Sequence, residues 1–195
     1  ETTANALNWT WMLLAQNPEA EAKLHEELDT VLGGRAPTLA DLKQLPYTEM
    51  VVKEAMRLYP PAFSFSRMAI EDTVIHGYDV PKGSDLNIFT WFTHRDPRWW
   101  DAPEQFRPER FSPENEASIP RYAYLPFGGG PRVCIGNSFA MMEARLMLAT
   151  MAQRYQLRLT PGQQVALEPL ITLRPKGGLQ MRVEQRETVR VPELA

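Results

Sequence analysis

Pro126-Phe127-Gly128-Gly129-Gly130-Pro131-Arg132-Val133-Cys134-Ile135-Gly136 is the stretch on which the reading of this 195-residue chain turns. It holds the single cysteine of the sequence. Three consecutive glycines precede that cysteine, and without a Cβ they let the backbone come close to a bound group. A helical pattern begins just beyond, at Asn137. A side chain at the start of a helix meets the positive end of the helix dipole and unpaired backbone N–H groups, and both favour an anion. Arg132, two residues before Cys134, adds a positive charge. The local chemistry is that of a loop built to hold one sulfur anion and present it.

One sulfur narrows what can be bound. A zinc or iron–sulfur site needs three or four protein ligands. Here there is one Cys, and the three His (His25, His76, His94) are far from it in sequence. A cysteine nucleophile needs a neighbouring base, and the sequence assigns none. An inert, buried cysteine is the plain structural alternative. A haem iron asks for only one protein ligand, because the macrocycle supplies the other four. Phe127, Gly130, Arg132, Cys134 and Gly136 resemble the haem-binding loop of the cytochrome P450 superfamily of haem-thiolate monooxygenases. Two more segments resemble motifs of that family, in the family's order. Glu54-Ala55-Met56-Arg57 is similar to the Glu-x-x-Arg of its K helix, and Phe106-Arg107-Pro108-Glu109-Arg110-Phe111 to its Pro-Glu-Arg-Phe segment. The resemblance covers essentially the whole chain. It implies the C-terminal part of that fold from the I helix onward: mainly α with small β-sheets (α+β), as one partial domain over residues 1–195.

The resemblance also implies a site. Cys134 would ligate the iron of haem b (iron protoporphyrin IX). Arg67 and Arg132 would pair with its propionates, arginine suiting a carboxylate through paired N–H donors. Pro126, Phe127, Gly128, Ile135, Gly136 and Ala140 would complete the haem contacts. Glu1 and Thr2 match an acid–alcohol pair that relays protons during dioxygen activation, and Ala62, Phe63 and Ser64 fall where the family lines its substrate pocket. Glu54, Arg57 and Arg110 match a structural network that fixes the cysteine loop. The implied partners are an electron-donor redox protein or reductase domain, a small organic substrate and O2. Relatives that use peroxide or rearrange a hydroperoxide share the cysteine loop but often lack the acid–alcohol pair, so Glu1-Thr2 favours the oxygenase. The alternatives from other classes are a non-enzymatic helical interaction module and a cysteine-nucleophile hydrolase.

Composition sets outer bounds. Hydrophobic residues are 44% and charged residues 23% of the chain, as in globular proteins. A net charge of −3 gives no general attraction to nucleic acid or an anionic membrane. One cysteine excludes a disulfide within the chain and suits a reducing compartment, so a cytoplasmic location is expected. No apolar run approaches the roughly 20 residues that span a bilayer, and no signal peptide is visible. The chain starts at Glu1, already inside a helical pattern, so a fragment is expected.

Periodicity and breakers predict helices over 1–16, 19–32, 47–59 and 137–155. Leu7, Trp11, Leu14 and Ala15 share a face of the first. Leu24, Leu28 and Val31 form the stripe of the second, with His25 among charged neighbours on a solvated face. In the third, Tyr47, Met50, Val51, Glu54 and Leu58 share a face, which puts Glu54 on the apolar side beside Arg57. In the fourth the predicted stripe is Phe139, Met142, Leu146, Ala149 and Gln153. Thr38-Leu39-Ala40-Asp41 is a capping pattern. Strands are expected at 64–70, 73–75, 78–80, 85–92, 156–159, 165–170 and 179–183, separated by Gly and Pro turns. His94 is expected to be structural. Residues 97–126, rich in Pro and aromatics, should be irregular yet packed, and the last eleven residues should be frayed.

Overall fold

The computed structural model describes residues 1–186. Its helices are α1 (Thr2–Gln16), α2 (Pro18–Leu32), α3 (Pro46–Leu58), the single turns α4 (Thr90–Thr93) and α5 (Pro113–Glu116), and α6 (Asn137–Ala152). Its strands pair two by two, all antiparallel: β1 (Phe65–Met68) with β4 (Asp85–Ile88), β2 (Thr73–Ile75) with β3 (Tyr78–Val80), β5 (Tyr155–Leu159) with β8 (Met181–Gln185), and β6 (Leu167–Pro169) with β7 (Leu173–Pro175). The fold is mixed α+β, with a helical core and small marginal sheets, in agreement with the sequence.

Prolines and glycines set the helix ends. Asn17 leaves the helical region at φ −130° ahead of Pro18, and its Nδ2 donates to the Leu13 carbonyl at 2.7 Å, closing α1. Gly33 ends α2 in the left-handed conformation at φ +56°. The capping box at Thr38 and Asp41 forms on a 3-10 turn, Leu39–Gln44. The start of α3 is capped from another helix. Glu27 of α2 accepts the Tyr47 and Thr48 N–H groups at 2.6 and 2.8 Å and the Thr48 hydroxyl at 2.7 Å. A carboxylate there meets both the unpaired donors and the positive dipole end.

The core forms around α1, which touches α2, α3, α6, β5 and β7. Besides Leu7, Trp11 and Leu14, it buries Trp9, Met12 and Leu13. A helix apolar on nearly every side belongs inside a protein. Trp9 stacks on Tyr59 at 4.5 Å and its indole N–H reaches the Leu173 carbonyl at 3.0 Å. A smaller cluster of Trp100, Phe111 and Ala123, backed by Tyr124, gives the irregular 97–126 stretch its own core.

Several sequence expectations are corrected here. His25 is buried, not solvated, at 7% exposure. The β5–β8 sheet covers its side of α2, where Arg158 pairs with Glu21 and Arg186 with Asp29. The buried stripe of α6 is Ala144, Leu148, Ala149 and Ala152, and Phe139 is exposed. The strand expected over 85–92 stops at Ile88, because Thr90 turns back to bond the Ala62 carbonyl and Trp91 that of Phe63. The run expected over 165–170 is the short β6, and its partner β7 was not anticipated. Of the last eleven residues, Gln185 is paired in β8 and Arg186 bonds Asp29, while 187–195 lie outside the described residues.

Glu54 and Arg57 point from the buried face of α3, and both are fully buried. Arg57 grips Glu54 through Nε and Nη2 at 2.7 and 2.9 Å. The same carboxylate accepts the Arg107 N–H at 2.9 Å and Arg110 Nε at 3.2 Å. The remaining Arg57 donors go to the carbonyls of His94, Pro103 and Gln105. All five N–H groups of the guanidinium are thereby matched. Removing one partner of such a pair leaves a charge buried alone. Glu54→Ala should therefore cost about 3–5 kcal/mol in urea unfolding; a loss below about 1 kcal/mol, the range of exposed pairs, would show that the network is dispensable.

Burial also sets the acid behaviour. It lowers the pKa of His94 from 6.5 to about 3, helped by the Arg57 charge, and that of His25 from 6.5 to about 4, helped by Arg186. The folded pKa lies below the unfolded one, so the unfolded chain binds protons that the native chain refuses. Stability is then full above pH 6.5 and falls as the pH drops below it. Unfolding between pH 6.5 and 5, above the ordinary carboxylate range, should take up protons, and His25→Phe should reduce that uptake. Calorimetry in buffers of different ionisation enthalpy measures it.

Candidate functional site

The cysteine loop is tied down at each end before it reaches any ligand. At its start, the Leu125 N–H donates to His94 Nε2 at 2.7 Å and the Tyr124 hydroxyl to the Lys53 carbonyl at 2.8 Å. The Gly128 N–H returns to the Leu125 carbonyl, and the Cys134 N–H closes the loop onto the Phe127 carbonyl at 3.0 Å. Gly128 and Gly130 sit at φ +73° and +70°, a region that strains a residue with a Cβ. A Cβ at Gly129 would lie 3.2 Å from Leu125 Cδ2 and 3.3 Å from Tyr122 Cε1, so those side chains would have to give by a few tenths of an ångström. Beyond the cysteine, Gly136 heads α6, and the Ala140 N–H bonds its carbonyl at 2.8 Å.

This loop forms one wall of a cleft with an empty volume of about 890 Å³, open to solvent. Of the residues singled out in the sequence, Thr2, Ala62, Arg67, Pro126, Phe127, Gly128, Arg132, Cys134 and Ala140 line it. Period-two geometry brings Arg67 there: Phe65 and Arg67 share the half-buried face of β1, and both line the cleft. Arg67 Nη2 also donates to the Gly129 carbonyl at 3.2 Å, tying the strand to the glycine run.

Other singled-out residues lie elsewhere. Glu1 is not in the lining; its Oε1 accepts the Thr172 hydroxyl at 2.6 Å, and Thr172 in turn accepts from Asn5 Nδ2. Phe63 packs on the main core, Ser64 does not line the cleft, and Ile135 is fully exposed. Gly136 stands behind the loop at the start of α6. Glu54, Arg57 and Arg110 meet one another well inside the protein, and none lines the cleft. The sequence did not single out Thr3 and Ala6 on α1, Val52 and Met56 on α3, Pro61, Phe65, or Met141 and Ala144 on α6. A signal was present for part of this set: Thr2 with Ala6, Val52 with Met56, and Ala140 with Ala144 are each four apart, one face of a helix.

The donor set fits a haem. Cys134, exposed within the cleft, offers one sulfur. Two guanidinium groups border the same cleft, and among the described residues no Asp or Glu lines it. That balance suits a ligand carrying carboxylates. Alanines at 6, 62, 140 and 144 keep the walls low, leaving room for a broad apolar group. Among the described residues, no three His, Cys, Asp or Glu side chains gather as a metal site. A haem iron would ask for only one protein ligand, which Cys134 could supply.

Comparison with known proteins agrees with this geometry. The family model described as Cytochrome P450 matches residues 1–181. Cyclooctatin synthase of Streptomyces melanosporofaciens is 48% identical over 95% of this chain and 40% of its own length. Cytochrome P450 4V2 of Homo sapiens is 42% identical over 95% of this chain and 36% of its own length. The chain thus spans about 40% of the length of the curated relatives it matches. Matched from α1 through the cysteine loop to the last sheet, the chain belongs to the cytochrome P450 family.

Proposed function

We propose that residues 1–195 form the haem-binding part of a haem-thiolate monooxygenase, which oxidises a small organic substrate with O2 and electrons from a redox protein or reductase domain. The observation that carries this is the meeting of Cys134, Arg67 and Arg132 on one apolar cleft, with the cysteine backbone fixed to Phe127. When bound, haem b supplies an iron centre able to activate dioxygen.

The chain's own residues do the rest. Cys134 would hold the iron through its sulfur and donate electron density to it. Arg67 and Arg132, both bordering the cleft, would pair with the two haem carboxylates. Thr2, on the first turn of α1, presents its hydroxyl to the cleft as a proton donor. Glu1 precedes it, with its carboxylate bonded to Thr172 rather than to the cleft. Phe65, Val52 and Met56 keep the interior apolar and limit stray water. Among the described residues, no helix is long and apolar enough to cross a membrane.

Arg121 lies beside the cysteine loop, over the Tyr122 ring at 4.7 Å, and forms no salt bridge among the described residues. It is suited to steer an acidic electron donor toward the loop.

Two measurements test these assignments. In the haem-loaded, full-length protein, carbon monoxide added after reduction should give a strongly red-shifted Soret band, and Cys134→Ser should abolish both the band and substrate oxidation. Survival of the band in that variant rules out Cys134 as the iron ligand. Arg121→Glu should leave the band unchanged and slow reduction by the donor roughly tenfold at low ionic strength, less at high salt. An unchanged rate removes this surface from the docking site.

A further inference from the structure

His94 has no part in the chemistry proposed above, yet it is fully buried at the junction of two systems. Its carbonyl accepts Arg57 Nη1 at 2.8 Å, so its backbone belongs to the Glu54–Arg57 network. Its ring faces the other way: Nε2 accepts the Leu125 N–H at 2.7 Å, and the ring lies 5.2 Å from that of Tyr124. Leu125 directly precedes Pro126, the first loop residue on the cleft. Proline has no N–H, so the Leu125 amide is the last backbone donor before Phe127. The Leu125 carbonyl is taken up by the Gly128 N–H, and the Phe127 carbonyl by the Cys134 N–H.

We infer that His94 is a positioning residue: through Nε2 it anchors the Leu125 amide and transmits the rigidity of the Glu54–Arg57 network to the loop that holds Cys134. The imidazole must be neutral to accept there, with its proton on Nδ1. An apolar side chain of the same shape would fill the space but leave the Leu125 N–H without its partner, and an unmatched N–H removed from water is destabilising. What the histidine contributes is an acceptor at the Nε2 position. Burial and the Arg57 charge keep the ring unprotonated across the neutral range.

The inference rests on Cys134 being the iron ligand proposed above, and the test separates the two. The haem-loaded, full-length protein is compared with three variants. Glutamine reaches far enough to place an oxygen near Nε2; asparagine is one methylene too short; phenylalanine keeps the ring shape without an acceptor. His94→Gln should retain the wild-type share of the red-shifted carbon monoxide band. His94→Asn and His94→Phe should lose at least half of it to a shorter-wavelength band, including at temperatures where circular dichroism shows them folded. Equal retention in His94→Gln and His94→Phe overturns the inference. Absence of the band in wild type refutes the haem-thiolate assignment instead. A second measurement needs neither haem nor variant: in native-state hydrogen exchange the Leu125 amide of the wild-type protein should be protected at least 10³-fold over an unstructured amide, a level equal to about 4 kcal/mol of opening free energy. Exchange near the unstructured rate overturns the anchor whatever Cys134 binds.

Discussion

A single carboxylate, that of Glu54, is the point on which the structure depends. It has no exposure to water, and it accepts from two nitrogens of Arg57, from the Arg107 amide and from Arg110. Taking a carboxylate out of water costs several kcal/mol unless its lone pairs are filled. Here they are filled from two sides of the chain: Arg57 is its neighbour on α3, whereas Arg107 and Arg110 come from a segment more than fifty residues away. The ion pair is therefore less a source of net stability than a constraint. It fixes where the 97–126 segment lies against α3, because any other placement would strand a buried charge. Glu27 does comparable work at the far end of the same helix, holding the first turn of α3 against α2.

With α3 and the irregular segment in register, the cleft follows. One flank of α3 gives Glu54 and Arg57 to the interior, and another gives Val52 and Met56 to the cleft wall. The segment ends at Leu125, where the loop begins, and the loop needs its glycines for two separate reasons. Gly128 and Gly130 adopt backbone angles that a side chain would strain, and a Cβ at Gly129 would press on Leu125 and Tyr122. Across the cleft, β1 contributes Arg67, whose guanidinium bonds the Gly129 carbonyl while bordering the cavity. One residue thus both stiffens the loop and offers charge to whatever binds beside it.

Much of this was legible in the sequence. The i, i+3 spacing of Glu54 and Arg57 on an otherwise apolar stripe marks a charge pair facing inward, and it is buried. The proline and glycine breakers locate helix ends to within one or two residues, apart from the three-residue overrun of α6. The stripe of α6 was placed on Phe139, Met142, Leu146, Ala149 and Gln153, of which Ala149 and Gln153 are buried and Phe139 is exposed. Packed against α1 and α3, the helix also buries Ala144, Leu148 and Ala152. Close helix contact selects small side chains, which a hydrophobicity pattern underweights. His25 was misread because the surrounding charges suggested solvent. Two of its charged neighbours on α2, Glu21 and Asp29, are instead paired with Arg158 and Arg186, which arrive from sequence more than 130 residues away. Glu1 was read as part of a pair with Thr2, but adjacent helix positions point in different directions, and Thr172 takes its carboxylate.

The irregular segment poses the sharper physical question, since it is packed with only isolated turns, α5 among them, to satisfy its backbone. The answer lies in the geometry of arginine. The carbonyls of His94, Pro103 and Gln105 all end on Arg57, and that of Ala102 on Arg110. Ala102 itself is held at φ +42°, a conformation that costs an ordinary residue about 1–2 kcal/mol. Two guanidinium groups thus stand where hydrogen-bonded secondary structure would otherwise be. A lysine could not replace Arg57, because three donors on one point charge cannot serve three carbonyls and a bidentate carboxylate at once. The irregularity of this segment and the burial of these arginines are therefore one feature: the backbone is free to wander because planar cations answer its carbonyls. The cations can remain buried because Glu54 and those same carbonyls leave none of the Arg57 donors unmatched.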